Sequence, residues 1–268
     1  MDHVTSRDGT VIAYEHAGTG PALILVDGAL CSRTFGPSTK LSAALAPHFT
    51  VYRYDRRGRG ESGDTQPYSR QREIEDLEAL VAAAGGSATL LGLSSGAALA
   101  LEAAASGLGV DGVVAYEPPY VDEGSPAEHD HEAHLRELLA TNDRGGAVKY
   151  FMRDMVGAPG FVVAMMRLMP SVWPKLKAVA HTLPYDAAVM SEFRVPAERL
   201  ASIRGPTLVA HGSKTDRRLK RAARAVREAI PGAEQRVVAG QTHNVSAEAL
   251  APLVLDFCRG AANDEAAE

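Results

Sequence analysis

Over the first 117 residues, short apolar runs alternate with stretches in which apolar residues recur at helical spacing, the pattern of a mostly parallel sheet covered by helices. Residues 10–14, 22–26, 50–54, 87–91 and 112–116 read as strands. The second of these, Ala-Leu-Ile-Leu-Val, has no polar alternation, so both of its faces are expected to be covered. Residues 72–84 read as a helix before the fourth strand, and an Ala-rich helix begins near Ala97 after it.

From Pro118 to about Arg204 no buried strand is visible, and amphipathic patterns recur at 129–140, 147–156, 161–169, 173–182 and 196–203. Strand character resumes at 206–210, followed by a helix over 217–230 that stops at Pro231-Gly232, a strand at 235–239 and a helix at 248–259. The pattern predicts an α/β core built from 1–117 and 205–260, an all-helical insertion over 118–204 and a flexible tail at 261–268. The total of 268 residues accommodates both a core and an insertion.

Composition narrows the function by exclusion. With 28 basic against 33 acidic residues the net charge is −5, and no basic field for nucleic acid is present. The first residues lack a basic region followed by an apolar one, so no secretory signal is predicted. The uncharged stretch 79–101 is interrupted by Gly85-Gly86, Gly92 and Gly96, which argues against a membrane span. Cys31 and Cys258 form no disulfide framework and suit a cytoplasmic protein, as small buried hydrophobes. The segment Glu128-His129-Asp130-His131-Glu132-Ala133-His134 has metal-like spacing, but after Ser125-Pro126 it reads as the acid-rich first turn of a helix. No metal or cofactor is called for. The basic positions between Arg217 and Arg227 read as a solvated helix face.

The strand at 87–91 runs into Gly92-Leu93-Ser94-Ser95-Gly96 and then directly into a helix, a G-x-S-x-G sequence in its strand–turn–helix setting. Ser94 is therefore the candidate nucleophile, presented where helix N-terminal amides stabilise negative charge. A serine hydroxyl needs a base, and of the nine histidines His243 falls between the last strand and the last helix, on the same sheet edge as the elbow. His211, at a strand end, reads as a packed histidine. Candidate oxyanion donors are the amides of Ser95, next to the nucleophile, and Ala29, in the loop Asp27-Gly28-Ala29-Leu30 after an early strand, with Leu30 as second choice.

These features resemble the α/β-hydrolase fold superfamily, as a serine hydrolase with an inserted helical cap. The early loop Asp27-Gly28-Ala29, the turn Asp55-Arg56-Arg57-Gly58-Arg59-Gly60-Glu61-Ser62, the elbow Gly92 to Gly96 and the late His243 carry the resemblance, which spans nearly the whole core. Asp27 stands where the family usually has His. The turn at 55–62 is read as structural, its arginines tying loops together.

The resemblance implies a third, acidic member that orients the histidine. The family usually places it after the penultimate strand in a His-Gly-x-x-Asp pattern, but here the sequence is His211-Gly212-Ser213-Lys214-Thr215-Asp216, which puts Thr215 in the acid's place and Asp216 one residue late. Glu117 is the favoured acid: it ends the strand at 112–116, and Pro118-Pro119 after it predict an extended exit. Relatives that carry their acid on this strand end provide a precedent. Asp216 stays as the alternative.

All methionines other than Met1 lie in the insertion, together with its aromatic residues and the single tryptophan, Trp173. Most of these side chains are expected to form the insertion's own core, with part of the apolar face lining the cleft. Gly28, Leu30, Met152, Met155 and Trp173 are the candidate substrate contacts. The reading is a cytoplasmic monomer or homodimer that hydrolyses an ester, lactone or thioester of an apolar small molecule, with no nucleic acid or membrane partner. The alternatives are C–C bond hydrolysis, haloperoxidase-like activity, or a non-hydrolytic cyclase or binding role. A serine in place of a carboxylate nucleophile argues against dehalogenase and epoxide-hydrolase chemistry.

Overall fold

The computed structural model describes residues 1–121 and 130–265. Among them are the strands β1 (Asp2–Thr5), β2 (Val11–Ala17), β3 (Ala22–Val26), β4 (Thr50–Tyr54), β5 (Thr89–Leu93), β6 (Gly112–Tyr116), β7 (Thr207–Gly212) and β8 (Glu234–Val238). They form one eight-stranded sheet in the order β1-β2-β4-β3-β5-β6-β7-β8. β2 pairs antiparallel with β1 and β4, and every other neighbouring pair is parallel.

The central strands are apolar throughout because both faces are covered. Successive side chains point to opposite faces, so Ile24, Leu90, Val113, Ala115 and Val209 pack on one side with α2 (Arg70–Ala83), α3 (Ser95–Ala105) and α10 (Arg217–Ala229). Leu23, Leu25, Leu91, Val114, Tyr116 and Leu208 pack on the other with α1 (Ser38–Leu45) and α11 (Ala247–Glu265). After β3 the chain turns to β4 on one side and later returns as β5 on the other. The carboxyl ends of β3 and β5 therefore flank the point where strand order reverses, where open α/β sheets bind ligands.

Between β6 and β7 lie α4 (His131–Ala140), α5 (Arg144–Tyr150), a π-helical turn (Phe151–Met155), α6 (Gly160–Arg167), α7 (Trp173–Ala178), α8 (Leu183–Val189) and α9 (Ala197–Leu200). Leu135, Val148, Phe151, Met155, Leu176, Leu183, Met190 and Phe193 form a separate apolar cluster that also takes in Leu30 from the loop after β3. The insertion is thereby seated on that loop.

Several elements depart from the sequence pattern. β1 escapes it because an exposed four-residue edge strand, Asp-His-Val-Thr, has no buried face to mark. α1 offers only Leu41 and Leu45 as an apolar pair, and α8 has Pro184 in its first turn and Asp186 on its buried side, which breaks the periodicity. β5 and α3 meet at Ser94, so the Ala-rich helix starts at Ser95, two residues earlier than expected. Asp130 caps α4, its carboxylate accepting from the Ala133 amide at 2.8 Å. The expected cap Ser125-Pro126 and His129 lie outside the described residues. α11 continues to Glu265, past Arg259 and into the expected tail, through the helix-forming Ala261 and Ala262. No described helix is long and apolar enough to cross a membrane.

Candidate active site

β5 delivers Ser94 into a turn with φ 55° and ψ −123°, and α3 begins at the next residue. The turn is possible because of two close approaches. A Cβ on Gly92 would lie 2.5 Å from the Ala97 Cα, and one on Gly96 would lie 2.0 Å from the Val26 carbonyl oxygen. The Ser94 amide donates to the Tyr116 carbonyl at 3.0 Å, and its carbonyl accepts from the Ala97 amide at 2.9 Å, tying strand, turn and helix together. Outside the insertion, the described non-glycine residues with positive φ are Leu30, in the loop after β3, and Ser94 and Glu117, each directly after the neighbouring parallel strands β5 and β6. Such backbone strain concentrates where a site requires a fixed geometry.

Glu117 is fully buried, and three groups hold its carboxylate. Oε1 accepts from the Gly212 amide at 2.8 Å, while Oε2 accepts from the Thr215 hydroxyl at 3.0 Å and lies 2.7 Å from Nδ1 of His243. The extended exit expected from Pro118-Pro119 is not formed. The φ of Glu117 is 49°, and its amide is bound to the Ala210 carbonyl at 2.9 Å, which turns the side chain toward the β7 end and His243. Asp216 has a different occupation. It caps α10, accepting from the amides of Arg218 at 2.7 Å and Leu219 at 3.1 Å, and pairs with the Arg218 guanidinium. The cap bonds and Arg218 outweigh burial and hold its carboxyl below the ordinary value. His211 is buried, with Nδ1 3.1 Å from the Gly212 carbonyl.

The loop after β3 lies against Ser94. A Cβ on Gly28 would be 3.1 Å from the Ser94 Cβ and 3.8 Å from its Oγ. Neither the Ala29 amide nor the Ser95 amide donates a hydrogen bond among the described residues. Asp27 is buried, its Oδ1 has no partner among the described residues, and burial pushes its carboxyl up to about 6. Cys31 and Cys258 are half-buried free thiols rather than fully buried ones, and burial pushes them up to about 12 and about 11, which leaves neither reactive at neutral pH.

A family model described as "Alpha/beta hydrolase family" matches residues 16–254. The chain belongs to the alpha/beta hydrolase family. An alpha/beta hydrolase from Sphaerobacter thermophilus DSM 20745 is 48% identical, with a TM-score of 0.89 over 96% of this chain and 99% of that one. The enol-lactonase from Burkholderia xenovorans LB400 superposes at TM-score 0.71 with 22% identity, over 96% of this chain and 99% of that one. A thermophilic esterase from Thermogutta terrifontis gives 0.68 with 22% identity, over 97% and 98%. At that identity the last two show a shared fold. No curated sequence matches the chain at a significant level.

In this alpha/beta hydrolase, Ser94 and His243 open onto one cleft of about 250 Å³, walled by Pro119, Val121, Phe151, Met155, Val156, Met190 and Phe193. Lys214, Thr215, Asp216, Arg218 and Leu219 complete it on the β7 side. Of the expected contacts, Met155 reaches the cleft. Met152 is partly buried against the insertion's core, Leu30 is buried within that core, and Gly28 backs Ser94. Trp173 lines a separate surface depression with Arg144, Lys149 and Lys177 and carries the Arg167 guanidinium over its ring. The methionines also divide differently from expectation, since Met165 and Met169 are exposed.

Sequence reasoning missed Phe193 and Met190, which a tight turn with positive φ at Ser191, Glu192 and Phe193 swings into the cleft. It also missed the link from the turn at 55–62 to the insertion. Arg57 pairs with Asp8 and Asp76 within the core, as tying loops together requires, whereas Arg56 and Arg59 both reach the buried Asp186 of α8. Nothing in a sequence marks an aspartate as the partner of arginines 130 and 127 residues away. Of the histidine-rich segment, His131 bonds the Tyr150 hydroxyl through Nδ1 at 2.7 Å and His134 packs on the same ring. Among the described residues no group of three or more metal-ligating side chains is gathered.

Proposed function

We propose that this protein is a serine hydrolase that cleaves an ester, lactone or thioester of an apolar small molecule through an acyl-enzyme. The observation that carries the reading is the contact between His243 Nδ1 and Glu117 Oε2, 2.7 Å apart, in a cleft that His243 shares with Ser94. An Nδ1–H donated to Glu117 leaves Nε2 as the basic nitrogen. His243 then takes the Ser94 proton as Oγ attacks the carbonyl, and the amides of Ala29 and Ser95 receive the developing oxyanion. The imidazolium returns the proton to the leaving group, and water, deprotonated by His243, releases the acid.

The apolar walls of the cleft favour an acyl chain over a sugar or a peptide. In this reading residues 118–204 act as a cap that sets specificity, while the chemistry belongs to the core. The test is labelling by a fluorophosphonate probe together with hydrolysis of p-nitrophenyl esters. Wild-type protein is expected to be labelled and active, and Ser94→Ala to be neither. A folded wild type that resists the probe and leaves every ester intact would point to a cyclase or binding role instead.

A further inference from the structure

The chemistry above needs two amides aimed at one point, and the residues that aim them lie partly in the insertion. Asp186 of α8 is fully buried. Its Oδ1 accepts from the Ser95 hydroxyl at 2.8 Å and from Arg56 at 2.8 Å, and its Oδ2 accepts from Arg59 at 2.7 Å. Arg59 also donates to the Gly28 carbonyl at 2.7 Å and to the Thr182 hydroxyl at 3.2 Å. Arg56 is gripped from its other side by Glu73 at 2.7 and 2.8 Å, so the cluster of Arg56, Arg59, Glu73 and Asp186 is buried but formally neutral.

The Gly28 carbonyl and the Ala29 amide belong to the same planar trans peptide, in which C=O and N–H point in opposite directions. A guanidinium that fixes the carbonyl therefore fixes the N–H and, by polarising the peptide, strengthens it as a donor. The Ser95 hydroxyl sits on the residue that supplies the other amide.

We infer that Asp186 is a positioning residue: through Arg59 it orients the Ala29 N–H, through the Ser95 hydroxyl it anchors the Ser95 N–H, and it thereby makes the seating of the insertion part of the oxyanion pocket. This rests on the oxyanion roles given to Ala29 and Ser95 above. Arg59 is the essential intermediary, because its planar fork reaches Gly28, Thr182 and Asp186 at once, which the single ammonium of a lysine does not.

The experiment compares wild type with Asp186→Asn, Arg59→Lys and Ser95→Ala, checking each for a cooperative thermal transition. Ser95→Ala removes only the hydroxyl and keeps the amide, so it and Arg59→Lys decide the matter if Asp186→Asn does not fold. With p-nitrophenyl butyrate, kcat is expected to fall by about 10- to 100-fold in Asp186→Asn and Arg59→Lys, and by less in Ser95→Ala, with KM steady. Affinity for a boronic acid that forms a tetrahedral adduct on Ser94 should fall in parallel. Independently of activity, the Ala29 amide resonance should move in Arg59→Lys and the Ser95 amide resonance in Asp186→Asn, each at a residue that is itself unchanged. Folded variants with unchanged kcat and an unmoved Ala29 resonance would reduce Asp186 to an anchor of the fold. A wild type inert to esters and to the probe would instead overturn the hydrolase reading, and the amide resonances would still decide the positioning role.

Discussion

Nδ1 of His243 stands 2.7 Å from Oε2 of Glu117, a carboxylate with no exposed surface that is also bonded by the Gly212 amide and the Thr215 hydroxyl. Thr215 occupies the position where the family's pattern has its acid. Here it supplies a hydroxyl to the Glu117 carboxylate, which comes from the end of another strand.

Exchanging the two carboxylates separates their roles. Glu117→Gln should lower kcat by about 10³- to 10⁴-fold, because the imidazole loses its orienting acceptor. Asp216→Ala removes the cap of α10 and should lower stability by about 1 kcal/mol while kcat changes less than about tenfold. Steady-state kinetics and urea unfolding of both variants check this, and equal mild losses in kcat would remove Glu117 from the mechanism.

Gly28→Ala tests the contact behind the nucleophile. The added methyl would lie 3.0 Å from the Leu93 carbonyl oxygen and 3.1 Å from the Ser94 Cβ, so Ser94 must yield by a fraction of an ångström. A misplaced nucleophile costs about 10²-fold in kcat at displacements near 1 Å, and a loss of about 10-fold or more is expected with the thermal midpoint nearly unchanged. Full activity would show that the loop gives way instead.

Asp27 makes stability depend on pH. Its carboxyl is raised by burial from 3.8 to about 6, so between those values the unfolded chain has released a proton that the native protein retains. Its contribution to stability therefore declines as pH rises from about 4 to about 6 and stays low above, by at most about 3 kcal/mol. Asp27→Asn is neutral throughout and should exceed wild type in stability at pH 7.5, with the advantage vanishing near pH 4. Parallel unfolding curves at both pH values would contradict this.

The apolar cleft predicts a chain-length profile. From p-nitrophenyl acetate toward hexanoate, kcat/KM should rise by up to about fourfold per methylene, the equivalent of about 0.8 kcal/mol of burial, until the 250 Å³ is filled. Met190→Trp narrows the cleft and should move the optimum to shorter chains. A strict preference for acetyl in the wild type would rule out the apolar wall as the acyl site.

Local chemistry made part of this protein legible from its sequence. The apolar runs of β3, β5 and β6, the glycines that permit the Ser94 turn and the place of His243 after the last strand are each dictated by a few neighbouring residues. The choice between Glu117 and Asp216 stays open in the sequence because it depends on which carboxylate the side-by-side pairing of β6, β7 and β8 brings beside His243, a distance between strand ends that no local pattern encodes. Only the tertiary structure decided that Asp216 caps a helix, that Phe193 rather than Trp173 faces the cleft, and that Asp186 from the insertion reaches Arg56 and Arg59 under the nucleophile. A buried carboxylate is tolerable only where its partners converge, and each partner of Asp186 lies more than ninety residues from it along the chain.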